Sequence, residues 1–92
     1  MSFVYHFSPD AMSSSKYDEC IAQLAAAGAA NPPGRLHHVS YGPSDALRVF
    51  DVWDSEQSFA SFGEVLVPIL QKLGVDAGRP EVAPVHNIIR GS

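Results

Sequence analysis

The sequence has a single cysteine, few positive charges and no long apolar run. Cys20 has no second cysteine to pair with, and its place in a helical pattern indicates a small buried side chain rather than a nucleophile. Six basic residues against ten acidic ones give a net charge of −4, and the basic residues are scattered. Because phosphate-backbone binding needs clustered cations, nucleic acid is not an expected partner.

Other absences narrow the class of protein further. No stretch of ~18 apolar residues occurs, and no basic region followed by an apolar run opens the chain, so we expect a cytoplasmic protein with no membrane partner. No glycine motif that would cradle a phosphate is present, so no nucleotide or flavin site is implied. With 46% hydrophobic and 17% charged residues, residues 1–92 are predicted to form one globular domain.

The periodicity of apolar residues predicts the order strand, helix, strand, strand, helix, strand. Residues 2–7, 35–41, 46–53 and 82–89 have strand character, and helical spacing lies between the serines at 13–15 and Gly28 and between Ser55 and Gly74. Pro68 predicts a kink or a restart in the second helix, and Pro84 an edge position or a bulge for the last strand. This order is typical of an α+β, ferredoxin-like fold with an antiparallel sheet in the order 4-1-3-2.

The predicted strands carry apolar residues on both faces. Two helices cover one face of a four-stranded sheet, so the other face is left apolar and exposed in a single chain. Packing of two copies, sheet against sheet, buries that face by symmetry. The sequence therefore predicts a homodimer that forms through the sheet.

The junction between the third strand and the second helix resembles a known family. Residues 52–62 read VWDSEQSFASF, which is similar to the antibiotic-biosynthesis-monooxygenase-like (ABM-like) group of the dimeric α+β barrel superfamily. In that group a tryptophan, an acidic or polar residue, a serine and a glutamate precede spaced phenylalanines. The resemblance implies that two ferredoxin-like chains pair into a dimeric α+β barrel.

The same resemblance implies several possible activities and limits the cofactors. The superfamily includes cofactor-independent quinone-forming monooxygenases, haem degraders, small isomerases and a polyketide cyclase. Haem degraders carry an iron-ligating histidine on the second helix, and residues 56–73 contain none. We therefore expect no haem and no other cofactor.

A histidine and an aspartate on the central hairpin are the first candidates for chemistry. If Tyr41 pairs with Ala46, then Leu36, His38 and Asp51 share one face, with His38 and Asp51 as diagonal neighbours ~7–8 Å apart at Cα. A carboxylate beside an imidazole fixes its tautomer, which suits a general base. A buried histidine paired with an aspartate is also a common way of satisfying a polar core group, and this alternative stays open.

Three aromatic residues are candidates for substrate binding. Trp53 shares the predicted face of His38, and Tyr17 and Phe62 lie on the apolar stripes of the two helices, so the three would wall a pocket between sheet and helices. Each has an equally simple role as a packing residue of the core.

The first and last strands supply a second pair of catalytic candidates, His6 and His86. The strands are expected to be antiparallel neighbours, and the polyketide cyclase of the superfamily also works with histidines on its first and last strands. A three-histidine metal site that adds His38 is conceivable, although its spacing fits no known signature, and no metal is expected. Otherwise these histidines bond backbone carbonyls or line the dimer seam.

Two classes of function follow from these residues. The first is a small cofactor-free enzyme, similar to a monooxygenase, cyclase or isomerase, that acts on an aromatic or polyketide-like substrate. The second is a non-catalytic dimer that binds a ligand or serves in assembly.

Overall fold

The computed structural model describes residues 1–91 and contains six regular elements. They are β1 (Phe3–Phe7), α1 (Ser14–Ala26), β2 (Arg35–Tyr41), β3 (Arg48–Trp53), α2 (Glu56–Lys72) and β4 (Glu81–Pro84). The strands form one antiparallel sheet in the order β2-β3-β1-β4. This is the predicted 4-1-3-2 order read from the other edge, so the α+β ferredoxin-like fold is confirmed. Neither helix in this part of the chain is long and apolar enough to cross a membrane.

Both helices begin at a serine that accepts a backbone hydrogen bond. The Ser13 hydroxyl accepts from the Lys16 amide at 3.2 Å, and the Ser55 hydroxyl accepts from the Ser58 amide at 3.1 Å. Each bond satisfies an amide that has no partner in the first helical turn. Helix α2 continues through Pro68, so the restart offered as one alternative does not occur.

Both helices pack on the same face of the sheet, and Trp53 lies at the centre of that contact. Its side chain is fully buried, with its ring edge-on to Phe59 at 5.7 Å and tilted against Phe62 at 5.3 Å. Cys20 and Leu24 from α1 complete the same cluster. The core is therefore a single layer between sheet and helices, which we call the inner side of the sheet.

The β2–β3 hairpin has a register two residues away from the predicted one. Tyr41 pairs with Arg48 rather than with Ala46. The shift accompanies a long-range hydrogen bond: the Leu47 amide donates to the Met12 carbonyl at 2.8 Å, and residues 46 and 47 lie outside β3. Because side chains alternate with period two, this shift leaves residues 37–41 and 48–53 on their predicted faces.

A second irregularity lies at the start of β2. The register shifts between Arg35 and His37, so Leu36 is an extra residue in the strand and its side chain is 49% exposed. The prediction that Leu36 shares a face with His38 and Asp51 was wrong. Arg35, opposite Trp53, takes the place on the inner side instead.

The last strand is shorter than predicted. β4 ends at Pro84, which pairs with Phe3 at the sheet edge. Proline has no amide to donate to a ladder, which suits an edge strand. One further backbone bond, from the Val85 amide to the Ser2 carbonyl at 2.8 Å, follows it. Residues 85–91 carry no strand.

The opposite side of the sheet, which we call the outer face, has no helix over it. Register places His6, Phe50 and Val39 side by side on this face. Val39 is 50% exposed and Tyr41, on the same strand face, is 39% exposed. The structure thus leaves large apolar side chains on the face through which dimerisation is predicted.

We expect Trp53→Ala to destabilise the fold severely, because the substitution leaves a large cavity between sheet and helices. The free energy of unfolding should fall by about 3–5 kcal/mol, measured by urea denaturation followed by circular dichroism. Val67→Ala is the control, since Val67 is 49% exposed, and it should change stability by less than about 0.5 kcal/mol. Equal losses in the two variants would contradict this description of the core.

Candidate active site

The centre of the site is a histidine and a carboxylate on adjacent strands. His38 lies directly opposite Asp51 in the β2–β3 ladder, rather than diagonal to it as the predicted register implied. The His38 Nδ1 donates to Asp51 Oδ1 at 2.5 Å, and Asp51 is 4% exposed. Since a carboxylate only accepts hydrogen bonds, this contact places a proton on Nδ1 and makes Nε2 the basic nitrogen of the neutral ring.

The second oxygen of the carboxylate is also held. The indole Nε1–H of Trp53 donates to Asp51 Oδ2 at 3.3 Å. Donors at both oxygens offset the loss of hydration of a buried anion. Trp53 therefore supports Asp51 from within the core, and it is not among the residues that line the cavity.

Helix α1 brings a phenol to the other side of the imidazole. The Tyr17 hydroxyl donates to His38 Nε2 at 2.7 Å, and the two rings are nearly parallel with centroids 6.0 Å apart. The His38 side chain is 22% exposed. Asp51, His38 and Tyr17 thus form one continuous chain of hydrogen bonds that runs from the core to the space between the helices.

That space is a cleft on the inner side of the sheet, which we call the central cavity. The cleft has an empty volume of about 570 Å³ when the space at its open mouth is included. The centre of a water molecule fits into only about 70 Å³ of this volume, which is room for a few waters. The lining is predominantly apolar and includes Phe7, Met12, Ile21, Leu24, Val49, Phe62, Leu66 and Leu70. His38, Asp51, Tyr17 and Arg35 supply its polar groups. A ligand with two rings therefore requires side chains to move apart.

The predicted aromatic residues divide between the cavity and the core. Tyr17 and Phe62 both line the cavity, whereas Trp53 does not. Their roles toward a substrate remain predictions.

His6 and His86 are not brought together with His38. His6 lies on the outer face, where its Nε2 is hydrogen-bonded to the Tyr41 hydroxyl and the two rings stack. His6 pairs with Glu81, and the ladder runs away from it to Pro84 before His86 is reached. Within one chain His6 and His86 therefore lie apart, and their predicted catalytic roles stay predictions. Within residues 1–91 no group of three or more His, Cys, Asp and Glu side chains is arranged to hold a metal ion.

Arg35 was missed as a cavity residue. Strict alternation from His38 would place it on the outer face, and the bulge at Leu36 reverses this. The residue types of β2 do not predict a bulge. Gly34, immediately before the strand, is a usable signal, because glycine often marks a backbone irregularity.

Comparisons with known proteins define the fold. Scans of the sequence against family models and against curated proteins give no match. Among solved structures, SnoaB, a cofactor-independent oxygenase from Streptomyces nogalater, is 16% identical with a TM-score of 0.62, over 98% of this chain and 96% of that one. MupZ from Pseudomonas fluorescens is 12% identical with a TM-score of 0.62, over 88% and 69% of the two chains.

A third similar structure carries the family's description. It is a protein assigned to the antibiotic biosynthesis monooxygenases from Chloroflexus aurantiacus, 21% identical with a TM-score of 0.57, over 98% of this chain and 97% of that one. The chain therefore has the fold of the ABM-like proteins, as the resemblance predicted. Identities at this level establish the fold, and one fold hosts many activities.

We expect Cys20 to be unreactive, although it lines the cavity. Burial raises the pKa of its thiol, so the nucleophilic thiolate is scarce at neutral pH. Its reaction with a disulfide reagent such as Ellman's reagent should be slower in the folded protein than in the urea-unfolded chain by about a hundredfold or more. Folded and unfolded rates within about threefold of one another would show that the thiol is open to solvent.

Proposed function

We propose that this protein is a cofactor-independent enzyme that removes a proton from a small aromatic or polyketide-like substrate. The observation that carries the proposal is the chain from Asp51 through His38 to Tyr17, which ends in an otherwise apolar cavity. His38 is oriented at Nδ1 by a carboxylate, and its Nε2 is bonded to a phenol that lines the cavity, so it can take up a proton through that phenol as a general base.

The geometry supports a proton relay. Asp51 holds the Nδ1 proton of His38, so Nε2 accepts the hydrogen bond of the Tyr17 hydroxyl. Because Tyr17 also lines the cavity, Tyr17 passes its own proton to Nε2 as its oxygen takes a proton from the substrate. Asp51 then stabilises the imidazolium that results. The apolar lining excludes bulk water from the carbanion or enolate that is left.

The enolate can react in more than one way. In the monooxygenase version a ring CH₂ and O₂ become C=O and water, and the substrate itself supplies all four electrons, so no other reductant is needed. In a cyclase or isomerase version the enolate attacks a carbonyl or is reprotonated elsewhere. The fold shared with SnoaB, described as a cofactor-independent oxygenase, favours the first version.

The enzyme is proposed to act as a homodimer that forms through the outer face. The support is the exposure of Val39 and Tyr41 beside Phe50 on a sheet face with no helix over it. Removing apolar surface from water stabilises association by about 25 cal/mol per Å² before the entropy of association is subtracted. A symmetric pair brings each patch against its own copy.

A non-catalytic dimer is the second candidate, and one observation favours it. Only about 70 Å³ of the cavity admits the centre of a water molecule, and drug-sized ligands occupy cavities of about 300–1,000 Å³. If the helices do not move apart, no substrate of that size enters the cavity. The hydrogen bonds of His38 and Tyr17 then serve only to satisfy the buried Asp51, and the protein would act through its surface.

The catalytic proposal predicts that His38→Gln abolishes turnover of an anthrone. Oxygen uptake with 1,8-dihydroxyanthrone as substrate should fall by about 10²–10⁴-fold, the usual contribution of a general base. Tyr17→Phe should also lower the rate, because it breaks the relay without removing the base.

The matched control is His37→Gln, since His37 is exposed and lies on the other face of the same strand. It should leave the rate unchanged. Turnover that is equal in the wild type and His38→Gln would contradict the assignment, and a wild-type rate equal to that of buffer would favour the non-catalytic candidate.

The dimer proposal predicts that Val39→Glu yields a monomer. Each symmetric pair would bury two unpaired carboxylates, which should raise the dissociation constant by about a hundredfold or more. Sedimentation velocity of wild type should show twice the mass of the chain. Val67→Glu, at an equally exposed valine on α2, should remain dimeric; a wild-type monomer at micromolar concentration would refute the interface.

A further inference from the structure

The bulge at the start of β2 selects which side chains face the central cavity. Residues 35 and 38 are three apart, so an unbroken strand would place them on opposite faces. The extra residue, Leu36, places Arg35 opposite Trp53 and His38 opposite Asp51, both on the inner side. Bulges beside functional sites commonly redirect a side chain in this way.

The local sequence favours this arrangement even though it leaves an apolar side chain in water. Leu36 is 49% exposed, whereas Arg35 is half-buried. Gly34 has φ of +89°, and a Cβ there would come within 2.6 Å of the Ser58 and Asp54 side chains. The residue that precedes β2 therefore lies in close contact with the beginning of α2, and only glycine fits at this position.

The guanidinium of Arg35 is held in place but has no anionic partner in the protein. Its Nη2 donates to the Ala30 carbonyl at 3.1 Å, and its central carbon lies 5.8 Å from the centroid of the Phe62 ring. No carboxylate of residues 1–91 forms an ion pair with it. Since a guanidinium carries five N–H donors in a planar fork, most of its hydrogen-bonding capacity is available to a ligand.

Among residues 1–91 the one other group in the lining that carries a full charge is the Asp51 carboxylate. Its two oxygens already accept from His38 and Trp53, and the remaining lining is almost entirely apolar. Arg35 is half-buried and its bond to Ala30 is exposed, so the guanidinium attracts an anion more strongly than it would in bulk water but less strongly than in a closed core. The ionised oxygen of a ligand therefore finds its best partner at Arg35.

We propose that Arg35 is an anion subsite, and that the ligand is a planar aromatic monoanion, a carboxylate or an enolate. Arg35 binds the ionised oxygen, while the acidic proton faces Tyr17 and His38; this orientation rests on the function proposed above. The strand partners of Arg35 and His38 are two residues apart on β3, so their Cα atoms are separated by about 6.6 Å along the strand direction. A ligand that reaches both side chains therefore need be no larger than one aromatic ring with two polar substituents.

The test uses 4-hydroxybenzoate as probe and 4-hydroxybenzamide as its neutral counterpart, with binding measured by titration calorimetry and by NMR shifts. The wild type should bind the acid about tenfold or more tightly than the amide. Arg35→Gln should reduce this preference to within about twofold, while Arg35→Lys keeps part of it as a point charge. Shifts should include Tyr17 and His38.

Arg79→Gln is the matched control, because Arg79 is exposed and the substitution changes the net charge equally. It should keep the wild-type preference. The subsite is overturned by equal affinities for acid and amide in the wild type, by a preference that survives in Arg35→Gln, by shifts confined to the outer face, or by no saturable binding at millimolar concentration.

Failure of the subsite is distinguishable from failure of the proposed function. Binding of 4-hydroxybenzoate needs no proton transfer, so His38→Gln should retain the preference for the acid. If that preference depends on Arg35 while anthrone turnover is unaffected by His38→Gln, the subsite stands and the catalytic role of His38 falls. If turnover depends on His38 but Arg35→Gln keeps the preference, the subsite is wrong.

Discussion

A buried carboxylate with a donor at each oxygen holds the inner side of this molecule together. Asp51 is the only charged side chain in the buried core of residues 1–91, and an unpaired anion there would strongly destabilise the fold. The imidazole of His38 fixes one oxygen and the indole of Trp53 the other. The contacts that offset the burial of the carboxylate therefore also set the tautomer of His38, hold Trp53 in the core and leave Nε2 to accept from Tyr17. Stability and candidate chemistry depend on one group.

The architecture was open to prediction because alternation and helical spacing depend on local sequence. Those patterns predict the element order, the sheet order and the face on which His38 and Asp51 meet. The register was not open to prediction in the same way, since it depends on the bond between Leu47 and Met12, two residues that are distant in the chain. A shift of two residues preserved the faces and turned a diagonal pair into a direct one, so the candidate pair survived an error in its geometry.

The errors have different physical causes. The bulge at Leu36 places an arginine in the cavity and an apolar residue in water, which is the reverse of what burial preferences favour. Such local conflicts between pattern and structure concentrate where a protein positions groups for a ligand. The short final strand is a simpler case: β4 ends at Pro84, one further bond joins Val85 to Ser2, and His86 lies beyond it. The predicted order of strands and helices did not specify how far His86 lies from His6.

The start of α1 is clamped to the hairpin loop by two backbone hydrogen bonds, from the Leu47 amide to the Met12 carbonyl and from the Ser14 amide to the Ser44 carbonyl. Tyr17 lies one turn into that helix, while His38 and Asp51 lie on the strands that the loop joins. The Tyr17 phenol and the His38 imidazole therefore lie on elements that these two bonds hold together. Any widening of the cleft that leaves these two bonds intact therefore also leaves the contact between phenol and imidazole in place.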